Sequence, residues 1–64
     1  MTLFVMVALD DALVREVEAF LTEESAQAAE RAWLLERGLL DEAAREHAAD
    51  RGTRIAVWEC NLSP

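Results

Sequence analysis

An apolar run near the start of the chain, Leu3–Leu9, places the strongest constraint on the fold. The segment Thr2–Leu9, with the sequence TLFVMVAL, is short, rich in valine and bounded by two aspartates, which is typical of a β-strand. Successive side chains of a strand point to opposite faces, and in this segment both faces are apolar. The pattern therefore predicts a strand, residues 2–9, that is covered on both sides.

The region after this strand predicts a first helix over residues 11–22. Apolar residues at positions 13, 17, 20 and 21 have the spacing of one helical face, and Asp10 is a suitable N-cap. A second helix is expected over residues 25–37, although Thr22 is an alternative cap for it. No Gly or Pro separates these two helices, so one continuous helix from 11 to 37 is also compatible with the sequence.

The remaining chain predicts one more helix and one more strand. Gly38 is expected to end the second helix in a left-handed conformation, and Asp41 to cap a third helix over residues 42–50. Gly52 then stops that helix, and residues 53–60, TRIAVWEC, predict a second strand. The expected fold is α+β, with the order β-α-α-α-β and a small two-stranded sheet packed on helices.

A chain of 64 residues is at most one domain, and a two-stranded sheet is marginally stable alone. One face of the predicted sheet would expose apolar side chains such as Phe4, Met6 and Trp58. We therefore expect a homodimer that either buries this face or extends the sheet across an edge.

Composition narrows the classes of ligand and the cellular location. The apolar run is much shorter than the roughly 20 residues of a membrane span, and no basic residue precedes it as in a signal peptide. Cys60 is the only cysteine, which favours a reducing compartment, and we expect a cytoplasmic protein. The net charge of −7 disfavours nucleic acid and anionic membranes as direct ligands.

The residues suited to catalysis or to cofactor binding are few. His47 and Cys60 are the strongest candidates for a base and a nucleophile, and a small enzyme that uses them is one hypothesis. No second His or Cys gives the spacing of a zinc site, and Gly38 and Gly52 do not form a phosphate-binding loop. The sequence thus predicts a protein that is not an enzyme and has no metal or cofactor.

Negative charge is concentrated in residues 10–30, where seven acidic residues accompany one arginine, whereas residues 31–64 have a net charge of −1. Glu16, Glu23 and Glu30 are spaced by seven residues, which on one continuous helix would align them at intervals of about 10 Å. A solvated face that maintains solubility explains the same pattern. The functional interpretation is that these carboxylates bind a basic surface.

The favoured function is inhibition of a partner protein, in which this chain occupies a basic, nucleic-acid-binding surface as a decoy for phosphates. In size and charge, and in no motif, the chain is similar to small phage-type inhibitors, including some anti-CRISPR proteins. The strand–helix–helix order led by VALDDALVREVEAFL also resembles ribbon–helix–helix repressors. This strand lacks the polar or basic residues with which those proteins read DNA, and the extra strand after Gly52 departs from their pattern. The alternative is a regulatory or antitoxin-like subunit that binds through apolar surface and tryptophan. The predicted partner-binding residues are Asp11, Glu16, Glu18, Glu23, Glu24, Glu30, Trp33 and Trp58.

Overall fold

The computed structural model describes residues 1–62 and contains a three-stranded antiparallel sheet and two helices. The elements in chain order are β1 (Thr2–Asp10), β2 (Leu13–Phe20), α1 (Glu23–Glu36), α2 (Glu42–Asp50) and β3 (Arg54–Asn61). β1 is the central strand, with β2 on one side and β3 on the other. The α+β class is confirmed, but the predicted order β-α-α-α-β is wrong, because the described chain follows β-β-α-α-β.

The predicted helix over residues 11–22 is in fact the second half of a β-hairpin. Asp11 and Ala12 form a two-residue turn with φ values of 54° and 63°, the combination of positive values that characterises a type I′ turn. Asp10 pairs with Leu13 across this turn, so β2 returns alongside β1. Asp11 is common at the first position of such a turn, but Ala12 stands where Gly is usual, which is why the turn was not predicted.

A β-bulge explains why β2 has the sequence pattern of a helix. Ala8 pairs with Glu16 and Leu9 pairs with Val14, which leaves Arg15 as the extra residue on β2. The extra residue interrupts the alternation of apolar and polar side chains. The apolar positions on either side of the bulge therefore acquire a spacing that matches one helical face.

Local capping fixes the start of both helices. The Thr22 Oγ1 accepts a hydrogen bond from the Ser25 backbone N–H at 3.1 Å, so α1 begins at Glu23, two residues before the predicted boundary. The Asp41 carboxylate accepts in the same way from the Ala44 N–H at 3.2 Å, as predicted for α2. Both side chains satisfy backbone donors that have no partner within their own helix.

Both helices end in the same hydrogen-bonding pattern. After α1, the Leu39 N–H donates to the Leu34 carbonyl at 2.7 Å, and the intervening Gly38 has a φ of +68°. After α2, the Thr53 N–H donates to the Ala48 carbonyl at 2.9 Å around Gly52. These are Schellman motifs, which place glycine in the left-handed region, and the predicted roles of both glycines are confirmed.

The core lies between α1 and one face of the sheet. Ala8, Trp33 and Leu34 form its buried centre, with Leu39 and Ile55 packed against them. Met6 is the largest side chain that is fully buried, and it lies on the same face of β1 as Ala8. This reverses part of the prediction, because Phe4 and Met6 point towards α1 rather than to the exposed face of the sheet.

Candidate protein-interaction surfaces

The sheet has one face that no helix covers. Antiparallel partners point to the same side, so the strand register identifies the side chains opposite α1. We call this surface the open sheet face. It comprises Arg54 and the apolar residues and cysteine Leu3, Val5, Val7, Leu9, Val14, Val17, Ala19, Ala56, Trp58 and Cys60.

The open sheet face is apolar and accessible. Trp58 and Val17 are each 61% exposed and Val14 is 60% exposed. Three strands about 4.8 Å apart and about eight residues long cover roughly 370 Å² in projection. An apolar area of this size is within the range of the largest apolar patch on a typical monomer, which is often a binding site.

The glutamates of the strands all lie on one face of the sheet. Glu16 and Glu18 pair with Ala8 and Met6, and Glu59 pairs with Phe4, so all three glutamates point to the side that carries the helices. The strands place no carboxylate on the open sheet face. Arg54, which pairs with Leu9, lies on that face at the end near the hairpin turn.

Acidic side chains line two grooves, one on each side of α1. The β2 flank is a groove of about 330 Å³ that contains Glu16, Glu18 and Glu36. The β3 flank is a groove of about 300 Å³ that contains Glu23, Glu30 and Glu59. Four of the predicted acidic residues therefore lie in two groups on the helix-bearing side, joined by Glu36 and Glu59, which were not predicted, whereas Asp11 and Glu24 line neither groove.

This arrangement corrects the predicted stripe of Glu16, Glu23 and Glu30. The stripe required one continuous helix, but Glu16 belongs to β2 whereas the other two belong to α1. Glu16 consequently lies on the β2 flank, and Glu23 and Glu30 lie on the β3 flank. The common side is preserved, but the regular spacing is not.

Arg37, which lines the β2 flank, and Arg45 on α2 have partners other than carboxylates. The Arg37 guanidinium lies over the Trp33 ring, 4.1 Å from its centroid, in cation–π geometry. Arg45 Nη1 donates to the carbonyl oxygens of Leu39 and Leu40, at 3.3 and 2.7 Å. These contacts use the positive charge for aromatic packing and for the loop before α2.

The other predicted partner-binding residues have contrasting environments. Asp11 is exposed in the hairpin turn, and Glu24 is exposed in the first turn of α1. Trp33 is only 5% exposed and belongs to the core, with its indole N–H buried and lacking a hydrogen-bond acceptor among the described residues. Trp58 is the tryptophan available for intermolecular contact.

Sequence reasoning missed the contribution of β2 to the open sheet face. Val14, Val17 and Ala19 were assigned to a helix, so their common face with β1 was not recognised. The alternation from Glu16 to Ala19, with acidic and apolar residues in turn, is the signal that identifies this segment as a strand.

The structure separates the two candidate catalytic residues. His47 is exposed on α2, and Cys60 is half-buried on the open sheet face at the far end of β3 from the helix-to-strand turn. The sheet lies between the two sides, so the pair is not brought together. Within residues 1–62, no cluster of three His, Cys, Asp or Glu side chains could hold a metal ion.

Comparison with models of protein families, with curated proteins and with solved structures found no match to this chain. Neither helix in the described part of the chain is long and apolar enough to cross a membrane. The fold and surfaces define a ββααβ protein with one apolar side and one acidic side.

Proposed function

We propose that this is a small, non-enzymatic, cytoplasmic protein-binding domain that occupies a basic, nucleic-acid-binding surface of a partner protein and thereby inhibits it. The observation that supports this function is the placement of the strand glutamates together with those of α1. They line two grooves on the same side of a chain with a net charge of −7. A protein surface that binds phosphates would be attracted to this side.

The strands give part of the acidic surface a fixed geometry. Glu16 and Glu18 are two residues apart on the same face of β2, which separates their Cα atoms by about 7 Å. Glu36 reaches the same groove from α1. A row of carboxylates on paired strands and a packed helix is preorganised, so little conformational entropy is lost when it binds a rigid cationic surface.

A second candidate function is a regulatory or antitoxin-like subunit that binds its partner through apolar surface. One observation favours it, namely the 61% exposure of Trp58, which lies on the edge strand β3 of the open sheet face. Tryptophan is enriched among residues that contribute most to binding at protein interfaces. The two functions predict opposite responses to salt, because only charge–charge attraction is screened.

The test is a pull-down of the tagged protein from an extract of the native host, with washes at about 50 mM and about 500 mM salt. Three variants each remove three negative charges. The β2-flank variant is Glu16→Gln/Glu18→Gln/Glu36→Gln, the β3-flank variant is Glu23→Gln/Glu30→Gln/Glu59→Gln, and the control on α2 is Glu42→Gln/Glu46→Gln/Asp50→Asn.

We expect the partner to be lost at high salt, and at least one flank variant to weaken capture roughly tenfold more than the α2 control does. The captured protein should also bind nucleic acid and should lose that activity when the acidic protein is added. Equal capture by all three variants, or capture that resists the high-salt wash, contradicts the decoy function. Loss of a salt-resistant partner in Trp58→Thr would support the second candidate function instead.

A further inference from the structure

We propose that the open sheet face is the interface of a homodimer in which two copies pack sheet against sheet. This inference is independent of the proposed function, because it concerns the side of the protein that carries none of the acidic flank residues. The occupant of the face is a second copy of this chain. Three features of the structure lead to that choice: its surface area, its charge distribution and its side-chain sizes.

The accessible surface is larger than expected for a monomer. The structure exposes 4723 Å², whereas a monomeric globular protein of 7.2 kDa exposes about 4,100 Å². The excess of about 600 Å² per chain corresponds to about 1,200 Å² when two copies associate, which is the lower end of the range for stable, specific interfaces. The roughly 370 Å² projection of the open sheet face, with side-chain relief added, accounts for an area of that order.

The charge distribution favours two copies over an acidic or basic partner. Each chain has a net charge of −7, so association through any acidic surface would bring like charges together. The open sheet face contains no strand carboxylate, and face-to-face packing directs the acidic flanks of both copies away from each other. The face also lacks the pattern of charged groups that would select a polar partner.

The strand register supports one particular orientation. Met6 is at the centre of β1 and pairs with Val57, so Ala56 and Trp58 lie one residue to either side of this level. We place a two-fold axis at that level, midway between the two sheets and parallel to them, and perpendicular to the strands. This axis makes the strands of the two copies antiparallel. Each Trp58 ring then lies over Ala56 of the partner subunit, so the largest side chain on the face meets one of the smallest.

The same axis gives a consistent arrangement on the other strands. Val17 and Ala19 pair with Val7 and Val5, which are also one residue to either side of Met6, so Val17 lies over Ala19 of the partner subunit. Arg54 is near the hairpin end of the sheet, and the antiparallel orientation places the two Arg54 residues at opposite ends. Stacked sheets pack about 10 Å apart, close enough for these side chains to interdigitate.

The experiment measures the molar mass by light scattering after size exclusion, from about 1 µM to about 100 µM protein. The interface variant is Val17→Thr/Trp58→Thr, because threonine retains the β-branched shape that strands favour. The matched control is Leu35→Gln/Leu40→Gln, which removes two exposed apolar side chains from the helix-bearing side. Leu35 is 63% exposed, which is comparable with the 61% of Val17 and Trp58.

We expect twice the chain mass of 7.2 kDa for the unmodified protein and for the control, and the chain mass for the interface variant. Ala56→Phe should weaken the dimer at least tenfold, since the larger side chain occupies the space taken by Trp58 of the partner subunit. Circular dichroism establishes that each variant remains folded. A second measurement is acrylamide quenching, in which Trp58 becomes protected as the dimer forms while Trp33 stays buried at every concentration.

The unmodified protein running as a single chain at about 100 µM would overturn the inference, and would leave the face to a different partner. Persistence of the dimer in the interface variant would also overturn it, because pairing along the edge of β2 or β3 would then be the cause. Dissociation of the control variant would place the interface on the helix-bearing side. Raised salt should leave this dimer intact, whereas it removes the acidic contact of the proposed function, so the two proposals fail separately.

Discussion

Gly52 joins the end of α2 to the hairpin turn, and its replacement by alanine should destabilise the protein more than any other glycine substitution in the described chain. A Cβ atom on Gly52 would lie 2.5 Å from the Ala12 backbone nitrogen, a distance that requires the backbone of the turn to move. That movement breaks the hydrogen bond from the Ala12 N–H to the Gly52 carbonyl, which measures 2.9 Å. Gly52 also has a φ of +85°, where alanine is strained.

The magnitude follows from three contributions to the free energy of unfolding. An alanine in the left-handed region costs about 1–2 kcal/mol, and the lost hydrogen bond costs about 0.5–1.5 kcal/mol. Reduced freedom of the unfolded chain offsets about 0.4–1 kcal/mol. The net loss is about 2 kcal/mol, from a total stability of about 3–10 kcal/mol for a chain of this length, and should lower Tm by about 8–16 °C.

Gly38→Ala is a matched control for this prediction. Gly38 also has a positive φ, +68°, in the same capping motif, but no atom lies within 4 Å of the position of its Cβ. Gly38→Ala therefore introduces the backbone strain and reduces the freedom of the unfolded chain, but it causes no collision. The free energy of unfolding should fall by only about 0.5–1 kcal/mol. Urea unfolding followed by circular dichroism, at one protein concentration for all variants, measures both. Equal losses for the two variants, or a neutral Gly52→Ala, would refute the argument.

Other substitutions test local features of the fold. Ala12→Gly should raise stability by about 0.5 kcal/mol, because glycine adopts the observed φ of 63° without strain; a lower urea midpoint would contradict this. Asp41→Ala should cost about 1 kcal/mol through loss of the α2 cap, and Asp41→Asn only a few tenths, as measured by thermal melting; equal losses would exclude capping as the cause. Arg37→Gln should cost about 0.5–1 kcal/mol through loss of its contact with Trp33, and Arg31→Gln on the same helix much less; similar unfolding midpoints for the two would show that the contact adds no stability.

The elements that the sequence predicted correctly are those with local signals. β1 has apolar residues on both faces, and α2 is bounded by the Asp41 cap and by Gly52. In each case, a few neighbouring side chains determine the backbone conformation. The strand predicted over residues 53–60 is β3 of the structure, which begins and ends one residue later.

β2 was predicted incorrectly because its conformation depends on distant contacts. Ala12, unlike Asp11, is not a residue type that favours positive φ, and the turn is held by the Gly52 carbonyl, 40 positions further along the chain. The bulge at Arg15 adds a second irregularity that only the pairing with β1 reveals. The hydrophobic pattern of an isolated segment contains neither contact, and the local signal against a helix is only the four-residue alternation from Glu16 to Ala19.

The strand β2 connects the two proposed surfaces, because its alternating side chains supply both. Glu16 and Glu18 point to the acidic side, while Val17 and Ala19 point to the open sheet face. A shift of one residue in the pairing with β1 would exchange these sets, placing carboxylates on the apolar face and valine in the acidic groove. The bulge and the hairpin turn fix the register, and the Gly52 contact supports the turn. Gly52 thus supports the turn from which β2 presents both surfaces, although Gly52 itself belongs to neither.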